Sequence, residues 1–171
     1  MDVYEQTAME FLQETNATIQ TEFVGMDYNE LWGDNQCRPK YRVAIETPRG
    51  KMSIVYWDSA LHREWLRADE ESVAKELFKC HFEYLTPGDK AKVRATLHKR
   101  QKEAVPTTYD ILCCLETTDP GSFSEFCDEF GYDTDSRRAL SIYLLCQEQY
   151  HDLLRIFSSK DLDKLSEINN M

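Results

Sequence analysis

The hydrophobic pattern changes period along the chain, and each change marks an element. From Asp2 to Thr15, Val3, Ala8, Phe11 and Leu12 form a partial apolar stripe beside an acidic face, which predicts a helix. Thr18 to Val24 then alternates and is rich in β-branched and aromatic residues, which predicts a strand. Gly25 to Pro39 is polar and punctuated by Gly and Asn, so it reads as a loop whose Trp32 can still pack onto a core. Alternation returns from Lys40 to Thr47, with Tyr41, Val43 and Ile45 on one side, and from Met52 to Trp57, with Met52, Ile54 and Tyr56. The turn residues Pro48-Arg49-Gly50-Lys51 join these two runs into a β-hairpin. With the first strand it makes a three-stranded antiparallel sheet, which a covering helix can stabilise.

Beyond Trp57 the pattern becomes helical. Asp69 to Leu85 carries Val73, Leu77, Phe78 and Phe82 on one side, with Asp69 as N-cap and Glu70 and Glu71 suited to the positive end of the helix dipole. Thr86-Pro87-Gly88-Asp89 restarts a helix, with Thr86 capping and Pro87 in the first turn. This next helix, to about Lys102, is basic, and Val93 and Leu97 give it only a thin apolar stripe. A thin stripe predicts a peripheral helix; left exposed, it would suit a second copy or a partner helix.

Pro106-Thr107-Thr108-Tyr109-Asp110 is a capping signature ahead of Ile111, Leu112, Cys113 and Leu115. Asp119-Pro120 predicts the opening of a further short helix with Phe123, Phe126, Cys127 and Phe130 inward and Gly131 at its end. Asp133, Thr134, Asp135 and Ser136 offer N-caps for a long helix. Its stripe, Ala139, Tyr143, Cys146, Tyr150, Leu153 and Phe157, alternates steps of four and three. Ser158 to Asp161 caps a last helix bearing Leu162, Leu165 and Ile168. The expected fold is α+β and a single domain over 1–171: a helix and sheet in 1–65, an inserted helical hairpin in 66–105, and a helical part in 106–171.

Charge sharpens this picture. The net charge is −11, carried at the two ends. Residues 1–35 hold eight acids and no base, and residues 106–171 hold thirteen acids against five bases, whereas the stretch between is mildly basic. Such a balance argues against gripping phosphates directly and favours a basic protein partner. No apolar run approaches the ~20 residues of a membrane helix. The start Met1-Asp2-Val3-Tyr4-Glu5 lacks the basic and apolar regions of an export signal, so a cytoplasmic location is expected.

Searching for chemistry narrows the field further. The six cysteines form no CxxC pair and no zinc spacing; they read mainly as small buried apolar residues, with Cys37 as a loop thiol. The four histidines are scattered, and Cys80 and His81, as helix neighbours, point apart. Phosphate loop, dinucleotide fingerprint and nucleophile elbow are all missing. Asp133-x-Asp135 begins like a calcium loop but lacks the glycine and the closing glutamate, so capping is the simpler account. The expectation is therefore no catalytic residue, no metal and no cofactor.

One constellation stands out. Residues 106–136 hold eight acids, Asp110, Glu116, Asp119, Glu125, Asp128, Glu129, Asp133 and Asp135, and no base. Phe123, Phe126, Phe130 and Tyr132 are interleaved with them. A rigid acidic surface imitates phosphates and can occupy a basic nucleic-acid channel.

The same stretch carries a resemblance. Pro106-Thr107-Thr108-Tyr109-Asp110-Ile111-Leu112, Asp119-Pro120-Gly121-Ser122-Phe123, Phe126-Cys127 and Phe130-Gly131-Tyr132-Asp133-Thr134-Asp135-Ser136-Arg137, with the late Leu162 to Ile168 segment, resemble a family of small uncharacterised proteins of bacteriophages and mobile elements of gut bacteria. The hairpin and the Trp57-Asp58-Ser59 turn look like that family's N-terminal half, and many of its members pass directly from the turn to the Pro-Thr-x-Tyr-Asp segment, so 66–105 reads as an insertion. The resemblance implies a genomic context and a bacterial host, with no activity attached. It leads to an expected phage or mobile-element accessory protein that inhibits a nucleic-acid-targeting defence system, such as CRISPR–Cas or restriction, through the eight acids. The alternative is a regulator or assembly protein that binds a phage or host partner, or a second copy of itself, through helix surfaces.

Overall fold

The computed structural model describes residues 2–29, 38–58, 70–103 and 106–171. Asp2 begins the first helix, α1 (Val3–Thr15), by accepting from the Glu5 amide at 2.8 Å, and Asn16 ends it in the left-handed conformation. Three antiparallel strands follow in the order β1 (Thr18–Asp27), β2 (Arg38–Thr47), β3 (Gly50–Trp57). Among the described residues seven helices complete an α+β fold: α1, α2 (Glu70–Phe78), α3 (Pro87–Glu103), α4 (Thr108–Cys113), α5 (Phe123–Phe130), α6 (Arg137–Ile156) and α7 (Ser159–Asn169).

Strict alternation in β2 and β3 puts Tyr41, Val43 and Ile45 beside Tyr56, Ile54 and Met52 in one register, and that face is buried. Onto it pack Ala8 and Phe11 of α1, Ile111 and Leu112 of α4, Leu153 and Ile156 of α6, and Leu162, Leu165 and Ile168 of α7. Phe11 and Phe157 meet at 5.5 Å between ring centres. Two polar contacts lock the layers. The Glu5 carboxylate, from α1, accepts from the amides of Thr108 and Tyr109 at 3.0 and 2.9 Å, capping α4 together with the Thr107 hydroxyl. The buried Thr47 hydroxyl donates to the Ile156 carbonyl at 2.7 Å, tying the hairpin turn to the C-terminus of α6.

The structure departs from the sequence-based expectations at several points. The first strand runs on to Asp27 and the second starts at Arg38, so the expected loop is shorter. Gly25, at φ +145°, lets the pairing slip by a residue beyond Phe23, leaving Val24 outside the ladder. The expected helix from Asp69 to Leu85 ends at Phe78. Lys79 turns left-handed at φ +52°, and a short 3₁₀ turn, Phe82–Tyr84, follows, because Glu71 accepts from the Phe82 amide at 2.9 Å and pairs with His81 Nδ1 at 2.6 Å. Residues such as Trp32, Cys37 and Asp69 lie outside the described part.

Helices α2 and α3 share a small core of their own, Val73, Ala74 and Val93, flanked by Phe78, Phe82, Leu85 and Leu97. Val93 is fully buried there, so the thin stripe of α3 is spent inside this hairpin. Across its surface Arg100 grips Glu76 with both guanidinium nitrogens, at 2.8 and 2.6 Å, and Arg94 pairs with Glu70 at 3.2 Å.

Candidate functional site: the acidic end

Helix α6 is the beam on which the acidic stretch hangs. Ile142, Tyr143 and Cys146 of α6 pack with Phe126 of α5 in a second core, joined by Phe123 and Tyr132. Phe126 is its hub, 5.5 Å from the Tyr143 ring and nearly parallel to Tyr132 at 5.9 Å. The turn between α4 and α5 is fastened to α6 at two points. Gln149 accepts from the Glu116 amide, and the Tyr143 phenol donates to the Gly121 carbonyl at 2.6 Å.

Local chemistry sets the helix ends. Asp119 and Pro120 do not open α5, contrary to expectation. Asp119 instead accepts from the Gly121 amide at 2.8 Å, and Gly121 takes φ +69°, so the chain turns before the helix begins. Ser122 is the N-cap, in a reciprocal capping box with Glu125. Gly131 ends α5 left-handed at φ +72°. Asp133 accepts from the Asp135 amide at 3.0 Å, and Ser136, alone of the candidate caps, starts α6 by accepting from Ala139. Asp119, Glu125 and Asp133 thus serve the backbone, while the carboxylates of Asp128, Glu129 and Asp135 accept no backbone hydrogen bond among the described residues.

The eight acids divide into two sets. Asp119, Glu125, Asp128, Glu129, Asp133 and Asp135 are exposed, and Asp110 and Glu116 are half-buried. None of the eight forms an ion pair among the described residues. The half-buried pair lines a cleft of about 490 Å³ between the end of β3, α4 and α6, with Trp57, Leu145 and Gln149. Burial pushes the Glu116 carboxyl above the usual glutamate range; a backbone hydrogen bond from Thr118 opposes this and the negative charge of Glu129 adds to it. Glu116 also borders a second cleft, of about 320 Å³, walled by Phe126, Phe130 and Tyr132 and edged by Asp119 and Glu129.

Cysteines border the larger cleft as well. Burial holds the Cys113 thiol above its ordinary value and pushes Cys146 up to about 11, with Glu116 adding to the latter, so both stay protonated at neutral pH. Cys127 and Cys146 are buried as the sequence suggests, but Cys114 is exposed at the C-cap of α4, its thiol donating to the Ile111 carbonyl at 2.9 Å. Among the described residues no cluster of three or more His, Cys, Asp or Glu side chains could hold a metal ion, and no helix is long and apolar enough to cross a membrane.

Sequence reasoning missed three features of this end. Phe130 was expected inward but is 59% exposed, because Gly131 ends the helix and leaves the ring at its rim with Phe126 on one side at 4.9 Å. Tyr143 and Gln149 fasten the turn, a role that no spacing rule announces. The outer face of α6 also carries Leu140, Leu144 and Leu154, each exposed by 42% or more. Leu140 and Leu144 sit at helical spacing and so could have been read as a small apolar patch away from the buried stripe. No protein-family profile, no curated protein sequence and no solved structure matches the chain.

Proposed function

We propose that this protein acts by binding, and that its acidic end, from α4 to the start of α6, docks onto a basic surface of another protein that otherwise holds nucleic acid. The reading assigns it no catalytic step. One observation carries it: eight carboxylates without a single base among them in sequence, none ion-paired among the described residues, hang on a frame of aromatic packing and hydrogen bonds to α6. Like charges held together cost stability, so a rigid unneutralised cluster is best accounted for by a partner that supplies the missing cations. The resemblance of the Phe130 to Arg137 run to phage and mobile-element proteins adds the context of a bacterial host, in which the partner would be a defence protein such as a CRISPR or restriction component.

The test is capture of partners by the full chain from the native host, repeated with duplex DNA as competitor and with Glu125, Asp128 and Glu129 all changed to Lys. The proposal expects DNA to displace the partner and the charge reversal to abolish capture. Capture that is indifferent to both would defeat it.

A second reading is favoured by the outer face of α6. Leu140 and Leu144, one turn apart, form an exposed apolar patch, with exposed Leu154 further along the helix beyond Gln147 and His151, the kind of surface a regulator or assembly factor presents to a partner helix. It predicts that Leu144→Glu, rather than charge reversal in α5, abolishes capture.

A further inference from the structure

The second cleft has a feature that the exposed acids lack: it is a concave site with aromatic walls. We propose that this cleft, between α5, the turn before it and α6, is a binding site for an organic cation of the alkylammonium class. Such a cation would be presented by a basic side chain of the partner or by a free amine. This goes one step beyond the acidic-surface reading and rests on it for the identity of the partner, though not for the chemistry of the pocket.

Carboxylates alone would make only a charged surface; enclosure and rings give this place its specificity. Phe126, Phe130 and Tyr132 wall a space of about 320 Å³. Phe126 lies at 4.9 Å from Phe130 and 5.9 Å from Tyr132, nearly parallel to the latter, so three rings meet at one corner. Phe130 is more than half exposed although it sits beside that cluster, so its free face is open to a ligand. Aromatic faces attract cations through their quadrupole, most strongly where water is thinned out. Glu116, Asp119 and Glu129 edge the same space, and no base lines it among the described residues. Asp119 spends one oxygen on the Gly121 amide, while Glu129 accepts no hydrogen bond and forms no ion pair among the described residues. An anion would meet three carboxylates here, and a neutral apolar ligand would have to bury them unpaired. A cation with an apolar surround, such as a methylated ammonium or the end of a lysine side chain, satisfies rings and acids together.

The experiment titrates the full chain with tetramethylammonium, with Nα-acetyl-lysine methylamide and with the uncharged norleucine analogue of the latter, followed by amide and aromatic NMR shifts. The inference expects saturable shifts centred on residues 116–132 for the two cations and none for the neutral analogue. Glu129→Gln and Phe130→Ala change side chains that are exposed, so the fold should survive; each should weaken cation binding about 2- to 30-fold. Asp163→Asn, which removes one exposed acid on α7, should leave it within about twofold, as a remote exposed charge is screened. Preference for tetramethylammonium over the lysine analogue would assign the site to quaternary ions, and the reverse order to lysine side chains. Three results would overturn the inference: non-saturable shifts spread over all acidic surfaces, equal losses in Glu129→Gln and Asp163→Asn, or equal binding of the neutral analogue. If the pocket fails in this way while charge reversal in α5 still abolishes partner capture, the surface reading stands without it; if capture alone fails, the pocket stands without the surface.

Discussion

Helices α2 and α5 carry acids at similar density and treat them in opposite ways. In the α2–α3 hairpin each of Glu70, Glu71 and Glu76 faces a base: Arg94, His81 with Lys75, and Arg100. The surroundings of Glu71 and Glu76 draw their carboxyls down. Glu71 is held below the ordinary glutamate value first by the Phe82 amide, and Glu76 first by its hydrogen bond from Arg100. In the acidic end none of the eight acids pairs with a base among the described residues, and the Glu116 carboxyl moves up, first through burial. The hairpin has an apolar core of Val73, Ala74 and Val93 and neutralises its acids across the surface above it. The acidic end is held together by aromatic packing in spite of its charge, which leaves the charge unspent.

Removing the packing should be the most damaging way to break this contrast. Phe126→Ala is expected to cost about 3–5 kcal/mol, the range for emptying a buried aromatic site, measured by urea unfolding. If the acidic end were held by charges rather than rings, the loss would be far smaller. Next comes the attachment of α4 to the body. Glu5→Ala leaves the amides of Thr108 and Tyr109 without their carboxylate and should cost about 1–3 kcal/mol by the same measurement.

The contrast then sharpens into a difference of sign. Glu129→Gln removes the like-charged neighbour of Glu125 four positions earlier and should stabilise the chain by about 0.2–0.5 kcal/mol. Glu76→Gln should do the reverse and lower the unfolding midpoint, because it breaks the two-pronged pair with Arg100. Charge-to-amide changes that destabilise in both places would contradict the account.

Acidity should separate the two regions in the same way. Glu71 and Glu76 have depressed folded values, so their contribution is present above the unfolded glutamate value and is lost as pH falls through their folded values. Glu116 has a raised folded value, so the folded chain binds its proton more tightly. Its contribution therefore favours folding below the unfolded value and is lost as pH rises through the folded one. Hydrogen exchange across the acid range should show protection in residues 70–103 falling with acidification, whereas Glu116→Gln should flatten only the response of residues 106–136.

Much of the fold was legible because its signals were local. The alternation in Tyr41 to Ile45 and Met52 to Tyr56, the cap at Thr107 and the stop at Gly131 each depend on a few neighbouring residues, and all appear where the pattern puts them. What escaped depends on partners distant in sequence. The helix from Glu70 ends early because Glu71 reaches eleven residues on to Phe82. Asp119 looked like a helix cap, yet Ser122 with Glu125 caps better, and the carboxylate went to a turn. The composition of the acidic set was plain in the sequence, but its division into a half-buried pair and an exposed six was not. For Glu116 it follows from how Gln149 holds its backbone against α6, and for Asp110 from the seat of α4 beside the same cleft.

The central claim is that unspent charge at the acidic end binds a basic partner, and the salt dependence of that binding tests it most directly. The dissociation constant of the captured complex should be measured from low to high ionic strength for the wild type and for the Glu125, Asp128 and Glu129 to Lys variant. The account predicts binding that weakens steeply with salt in the wild type, as exposed charges are screened beyond about 10 Å at 0.1 M, and no measurable complex for the variant. A complex equally tight at every salt concentration, and equally tight in the variant, would contradict it.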